Sequence, residues 1–315
     1  MNRTLCVLFL TFTALLAAIA QEWPEAKVTV QVVNGERRPM ANVDVGITFD
    51  QPTYKPGRWG SSEVLTRNGK TNNEGLFSAA EPSGNYVNSG AKAPGHYDVH
   101  GEPVKFWKSE GGKWQPWNPT IELVLKRIIN PIPMYARRVN RAVPTQNEDL
   151  RFDMFVGDFV TPYGQGKTAD MIFRLEVSER TRKDYDYKLT VAFPSTADGI
   201  LPLNPSPHLQ GSALRSPYSA PEKGFLPSWT VTRSRRPGTA ENSNYDPVNH
   251  GYFFRIRSSV DNSGKILSAN YGKIYGDFMN FTYYLNPTPN DRNIEFDPKR
   301  NLFTNLKDDE RVTMP

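Results

Sequence analysis

Along most of this chain hydrophobic and polar residues alternate with a period of two, the pattern of half-buried strands. Val43, Val45, Ile47 and Phe49 share one face of a segment over 43–49. Met171, Phe173, Leu175 and Val177 do the same over 171–178, and Tyr187, Leu189, Val191 and Phe193 over 185–193. A β-branched run at 27–33 and further runs at 120–125, 150–156, 228–232 and 278–285 read as strands. Asn34-Gly35 is a hairpin-type turn, and Asp261 to Gly264 joins 251–260 to 265–271 in the clearest hairpin of the chain. Hardly any stretch repeats at 3.6 residues. With 26 prolines and 23 glycines, the pattern predicts an all-β protein with long loops.

The alternation breaks at Asn130-Pro131 and Pro133. Two prolines one residue apart remove two backbone donors and hold the chain extended. Residues 128–144 are therefore expected to be a proline-rich connector. Before it lies an antiparallel β-sandwich over 21–127; after it, a larger β-sandwich or jelly-roll-like domain with long loops over 145–315. The final dozen residues are charged and expected to fray.

Residues 1–20 change the picture. Arg3 precedes an uncharged apolar run, and Ala18-Ile19-Ala20 is a small-x-small site. This predicts a signal peptide cleaved after Ala20 and a secreted or periplasmic protein. The one cysteine, Cys6, lies inside that segment, so the exported chain has no disulfide, thiol ligand or thiol nucleophile. No later stretch is long and apolar enough to form a transmembrane segment. The formal charge of +5 is too mild for a nucleic-acid partner. No cofactor motif is present: Gly164-Gln165-Gly166-Lys167-Thr168 leads into a strand, where a phosphate loop needs a helix N-terminus. His96 and His100 lack a third ligand, so no metal site is expected.

The first module carries short phrases in a recognisable order. Asn34-Gly35 is followed by Pro39 to Val43, then Thr71 to Phe77, then Ala93 to Tyr97, then a last strand from Ile121 to Leu125. In that order they resemble the carboxypeptidase regulatory-like, or transthyretin-like, β-sandwich domain. The resemblance implies a non-catalytic accessory module of an exported protein. Insertions over 51–67 and 99–118 depart from the pattern. The remainder more distantly resembles exported bacterial proteins of uncharacterised function, in Asn130 to Tyr135, Asn270 to Tyr275 and Asn286 to Asn293.

The two insertions hold the candidate binding residues: Tyr54 and Trp59 in one, Trp107, Trp114 and Trp117 in the other. Aromatics on Gly- and Pro-rich loops form stacking platforms for sugar rings or partner side chains. The competing expectation is that the tryptophans fold back over the sandwich edges. The favoured function is non-catalytic recognition at a cell envelope, with glycan as partner and an envelope protein as the other choice; a purely structural role is the third. The enzymatic alternative is a carbohydrate hydrolase using a carboxylate pair, Asp158 and Asp277, each in a Gly-Asp-Phe step. Gly-Asp is also ordinary turn chemistry.

Overall fold

The computed structural model describes residues 23–52, 62–140, 143–203, 211–246 and 251–315, with strands throughout and one 3-10 turn at Asp308–Glu310. The first ten strands are β1 (Glu25–Asn34), β2 (Asp44–Pro52), β3 (Ser62–Lys70), β4 (Leu76–Pro82), β5 (Tyr86–Lys92), β6 (Val99–His100), β7 (Val104–Lys105), β8 (Lys108–Glu110), β9 (Lys113–Gln115) and β10 (Thr120–Leu125). They make two sheets. One runs β10-β1-β9-β8 with β4 also on β1; the other runs β3-β2-β5-β6 with β7 also on β5. Pairing is antiparallel except around β1, which runs parallel to β10 and β9.

The alternation explains the packing. Val28, Val30 and Val32 of β1, Val45, Ile47 and Phe49 of β2, and Leu123 and Leu125 of β10 all turn inward into one core. Removing each such side chain from water stabilises the fold by about 1.5–3 kcal/mol.

Twelve strands follow: β11 (Ile132–Asn140), β12 (Asp149–Asp153), β13 (Asp158–Phe159), β14 (Met171–Thr181), β15 (Asp184–Ala192), β16 (Gly199–Leu203), β17 (Ser228–Arg235), β18 (Asn242–Ser243), β19 (Gly251–Val260), β20 (Ile266–Gly276), β21 (Asn280–Leu285) and β22 (Phe296–Asn301). They form two six-stranded sheets, β16-β19-β20-β21-β11-β22 and β13-β12-β14-β15-β17-β18. Between them sits an aromatic-rich core that includes Phe152, Phe173, Phe254, Phe281 and Tyr283. The first of these sheets is buried on its far face as well, where Met134, Ala136, Tyr271 and Tyr284 pack under Ile294 and Val312.

Two expectations change here. Residues 128–144 are not a free connector, because β11 lies inside a sheet between β21 and β22. Met134 and Ala136 are wholly buried. Pro133 is tolerated because it falls between Ile132 and Met134, where the β11–β22 register shifts and no ladder donor is needed. The charged C-terminus docks as well: Arg137 Nη2 donates to Glu310 Oε1 at 2.6 Å, Tyr284 Oη donates to the Met314 carbonyl at 3.2 Å, and Val312 is buried.

The two sandwiches are joined by more than the chain between them. His100 N donates to Gly211 O at 3.0 Å and Ala213 N to Asp98 O at 2.9 Å, so the 211–213 segment covers the β6 edge. Gly211 is required there: its φ is +83° and a Cβ would lie 1.8 Å from His100 O. Beside it, the buried Glu295 carboxylate accepts from Tyr97 Oη (2.8 Å), Ile129 N (2.9 Å) and Asn130 N (2.6 Å).

Candidate functional site

The outward face of the β3-β2-β5-β6 sheet forms an open trough of about 730 Å³. Strand periodicity builds it. Inward residues of β2 and β5 fill the core, so Asp44, Gly46 and Thr48 of β2 and Tyr86, Asn88, Gly90 and Lys92 of β5 point outward. Register then sets rows across the sheet. Gly46 is paired with Asn68 and Gly90, and Gly90 with His100. Thr48 lies between Thr66 and Asn88, and Asp44 between Lys70 and Lys92.

Glycine at the centre is what makes the face concave. A Cβ on Gly46 would come within 3.0 Å of Asn68 Oδ1, and one on Gly90 within 3.0 Å of His100 Nδ1. The Asn68 and His100 side chains thus lean over a floor with no side chains of its own. Around it stand a hydroxyl pair, Thr48 and Thr66, at 2.9 Å, and an exposed ion pair, Lys70 and Asp44, at 2.8 Å. Outside the lining, two positions along β5 from Asn88, Tyr86 is exposed, with Lys105 Nζ 5.8 Å from its ring centre. Two residues on, between β7 and β8, Trp107 is 82% exposed. Such a surface offers amide donors and acceptors, hydroxyls and a flat ring, but no activated nucleophile. Among the described residues no group of three or more His, Cys, Asp or Glu is placed to hold a metal ion. None of the described helices is long and apolar enough to cross a membrane.

The tryptophans divide. Trp107 projects into solvent. Trp114 is half-buried, stacks on the buried Phe106 ring at 5.9 Å and donates its indole N–H to Ser83 O at 2.8 Å. Trp117 is half-buried with Lys113 Nζ 4.7 Å from its ring. Trp114 therefore covers an edge of the core, and Trp107 is the free platform. Tyr54 and Trp59 lie outside the described residues.

The carboxylates serve local turns. Asp158 Oδ1 accepts from Phe159 N at 2.8 Å and Oδ2 from Gln165 N at 2.9 Å. Asp277 Oδ1 accepts from Met279 N at 3.1 Å and Asn280 N at 2.9 Å, while Oδ2 pairs with Arg233 at 2.8 Å. Asp277 lines a recess in which Asp158 takes no part. Of the trough residues, Asn68, Asn88 and Thr48 had no signal of their own as binding groups, and His100 stood out only as one of a histidine pair with His96. The one available sign was Gly46 and Gly90 inside strand runs, since an interior strand glycine marks a close approach.

No family model matches the chain, and no curated protein does. Among the solved structures that are similar to it, two align over most of its length. The full-length major pilin SpaD of Corynebacterium diphtheriae is 10% identical, with 83% of this chain and 82% of that one covered and a TM-score of 0.24. A candidate carbohydrate-binding protein of Bacteroides uniformis is 7% identical, with 85% and 99% covered and a TM-score of 0.20. Superpositions this loose transfer neither topology nor ligand. The class is defined by the strands themselves: an all-β protein of two joined sandwiches.

Proposed function

We propose that this is an exported, non-catalytic recognition protein that binds glycan on the first sandwich. The observation that carries the reading is the glycine-floored trough lined by Asn68, Asn88 and His100, with two exposed rings outside its lining: Tyr86, two positions along β5 from Asn88, and Trp107, two residues beyond β7. A sugar presents hydroxyls for amide groups on its edge and C–H groups for a ring on its face, and this surface supplies both partners. Export rests on the signal-type segment ending at Ala20.

A neutral-glycan array with the chain from Gln21 onward tests it. A ligand found there is expected to bind at least about tenfold more weakly to Asn68→Ala and to Trp107→Ala. The reading fails when no glycan is retained, or when both variants bind as the parent does.

A further inference from the structure

The second sandwich has a recess of its own, about 390 Å³, between β11, β20, the β20–β21 turn and the residue 215 loop. Arg138 and Arg215 both line it. Both are exposed, and among the described residues neither side chain makes a hydrogen bond or an ion pair. Arg215 Cζ lies 4.3 Å from the Tyr275 ring centre, a cation–π contact. The single carboxylate of the lining, Asp277, is fully used by Arg233 and two backbone N–H groups. Asn140 and Thr282 add neutral polar groups.

Two buried lysine amines also lie behind the wall. Lys273 is wholly buried, and its Nζ donates to Ser216 Oγ at 3.1 Å. Lys126 donates to the carbonyls of Leu214 and Ser216. Burial first, then Lys126 and Arg215, hold the Lys273 amine well below its ordinary range, and only Glu295 opposes them. An anion in the recess would offset this crowding.

We propose that the recess is a binding site for a sugar acid, its carboxylate held between the Arg138 and Arg215 guanidinium groups. Two planar forks with no carboxylate partner of their own suit a carboxylate, and the neutral groups beside them suit sugar hydroxyls. This site is separate from the trough and stands or falls independently of it.

Titration calorimetry at low salt with a galacturonic acid trimer, against the neutral galactose trimer and inorganic phosphate, tests the proposal on the whole exported chain. The acid trimer is expected to bind, with affinity falling as salt rises. Arg138→Gln and Arg215→Gln should each weaken it about tenfold. Arg138 has no partner to lose, so its variant should melt with the parent and serve as the folding control. Asn68→Ala should leave this binding unchanged. Any of three results overturns the proposal: no acid binding at millimolar concentration, undiminished binding to Arg138→Gln, or tighter binding of phosphate or the neutral trimer that Arg138→Gln weakens in the same way.

Discussion

Glu295→Gln changes one atom at the junction of the two sandwiches and should be costly. The carboxylate is 1% exposed and accepts three hydrogen bonds, two of them on Oε1. Burial first, and then the carboxylate, push the Tyr97 phenol pKa up, so it stays a donor. An amide can keep Oε1 as its oxygen, but those two bonds then lose their ionic character. Charge-assisted bonds are worth about 1.5–3 kcal/mol and neutral ones about 0.5–1.5, so roughly 1 kcal/mol is lost from each. The new NH₂ group faces the Asn130 N–H, where an acceptor stood. Asn130 is exposed and water takes over part of that bond, which adds about 1 kcal/mol or less. Removing a buried charge returns some desolvation energy, but Lys126 loses its only opposing charge at the same time. The net expectation is a loss of about 2–3 kcal/mol, or roughly 5–10 °C in Tm for a unit of this size. Urea unfolding followed by tryptophan fluorescence and circular dichroism measures it. Tyr97→Phe closes a double-mutant cycle, with an expected coupling of about 1 kcal/mol. A loss below about 0.5 kcal/mol, or no coupling to Tyr97, would refute the account of the junction.

Other parts of the fold give further tests. Burial lowers the Lys126 pKa from 10.5 to about 8, against an upward pull from Glu295. Between those values the folded chain binds fewer protons than the unfolded one, so this residue's contribution rises with pH across the interval. Below it, burying the ammonium costs roughly 3 kcal/mol in full. The stability difference between Lys126→Met and the parent should therefore move in the parent's favour by roughly 3 kcal/mol between about pH 7 and pH 10.5; a difference constant with pH would contradict this. Arg257 is the counter-ion of two buried carboxylates, with Nε 2.7 Å from Asp170 Oδ1 and Nη2 3.2 Å from Asp153 Oδ1. Arg257→Met strands both charges and should cost about 3–5 kcal/mol at pH 7, read by thermal melting. Burial raises the Asp170 pKa, so part of that cost should disappear on mild acidification as its carboxyl takes up a proton.

The elements of this protein were legible in the order of its residues. Alternation at 43–49, 171–178 and 185–193 marks strands, because a half-buried sheet exposes every second position and no helix produces that period. The hairpin about Asp261 to Gly264 was legible for the same local reason: its turn residues and both its strands are neighbours in sequence. What alternation reports is which face of a strand is buried. It does not say which strand lies alongside. The trough depends on that second fact, since Asn68, Gly46, Gly90 and His100 meet only through the β3-β2-β5-β6 register. The tryptophans show a similar limit. A loop aromatic has an apolar body and, on its ring, a polar N–H, so it can cover a core edge or face water. Trp114 found Phe106 and the Ser83 carbonyl, and Trp107 found neither. Prolines at 131 and 133 read locally as a break, yet tertiary pairing placed them where a sheet needs no donor, making β11 an inner strand. Nothing in the local run Asn293-Ile294-Glu295-Phe296 sets Glu295 apart as a junction residue. Only the fold, by bringing Tyr97 and the 129–130 backbone to it from more than a hundred residues away, made it the acceptor at the junction.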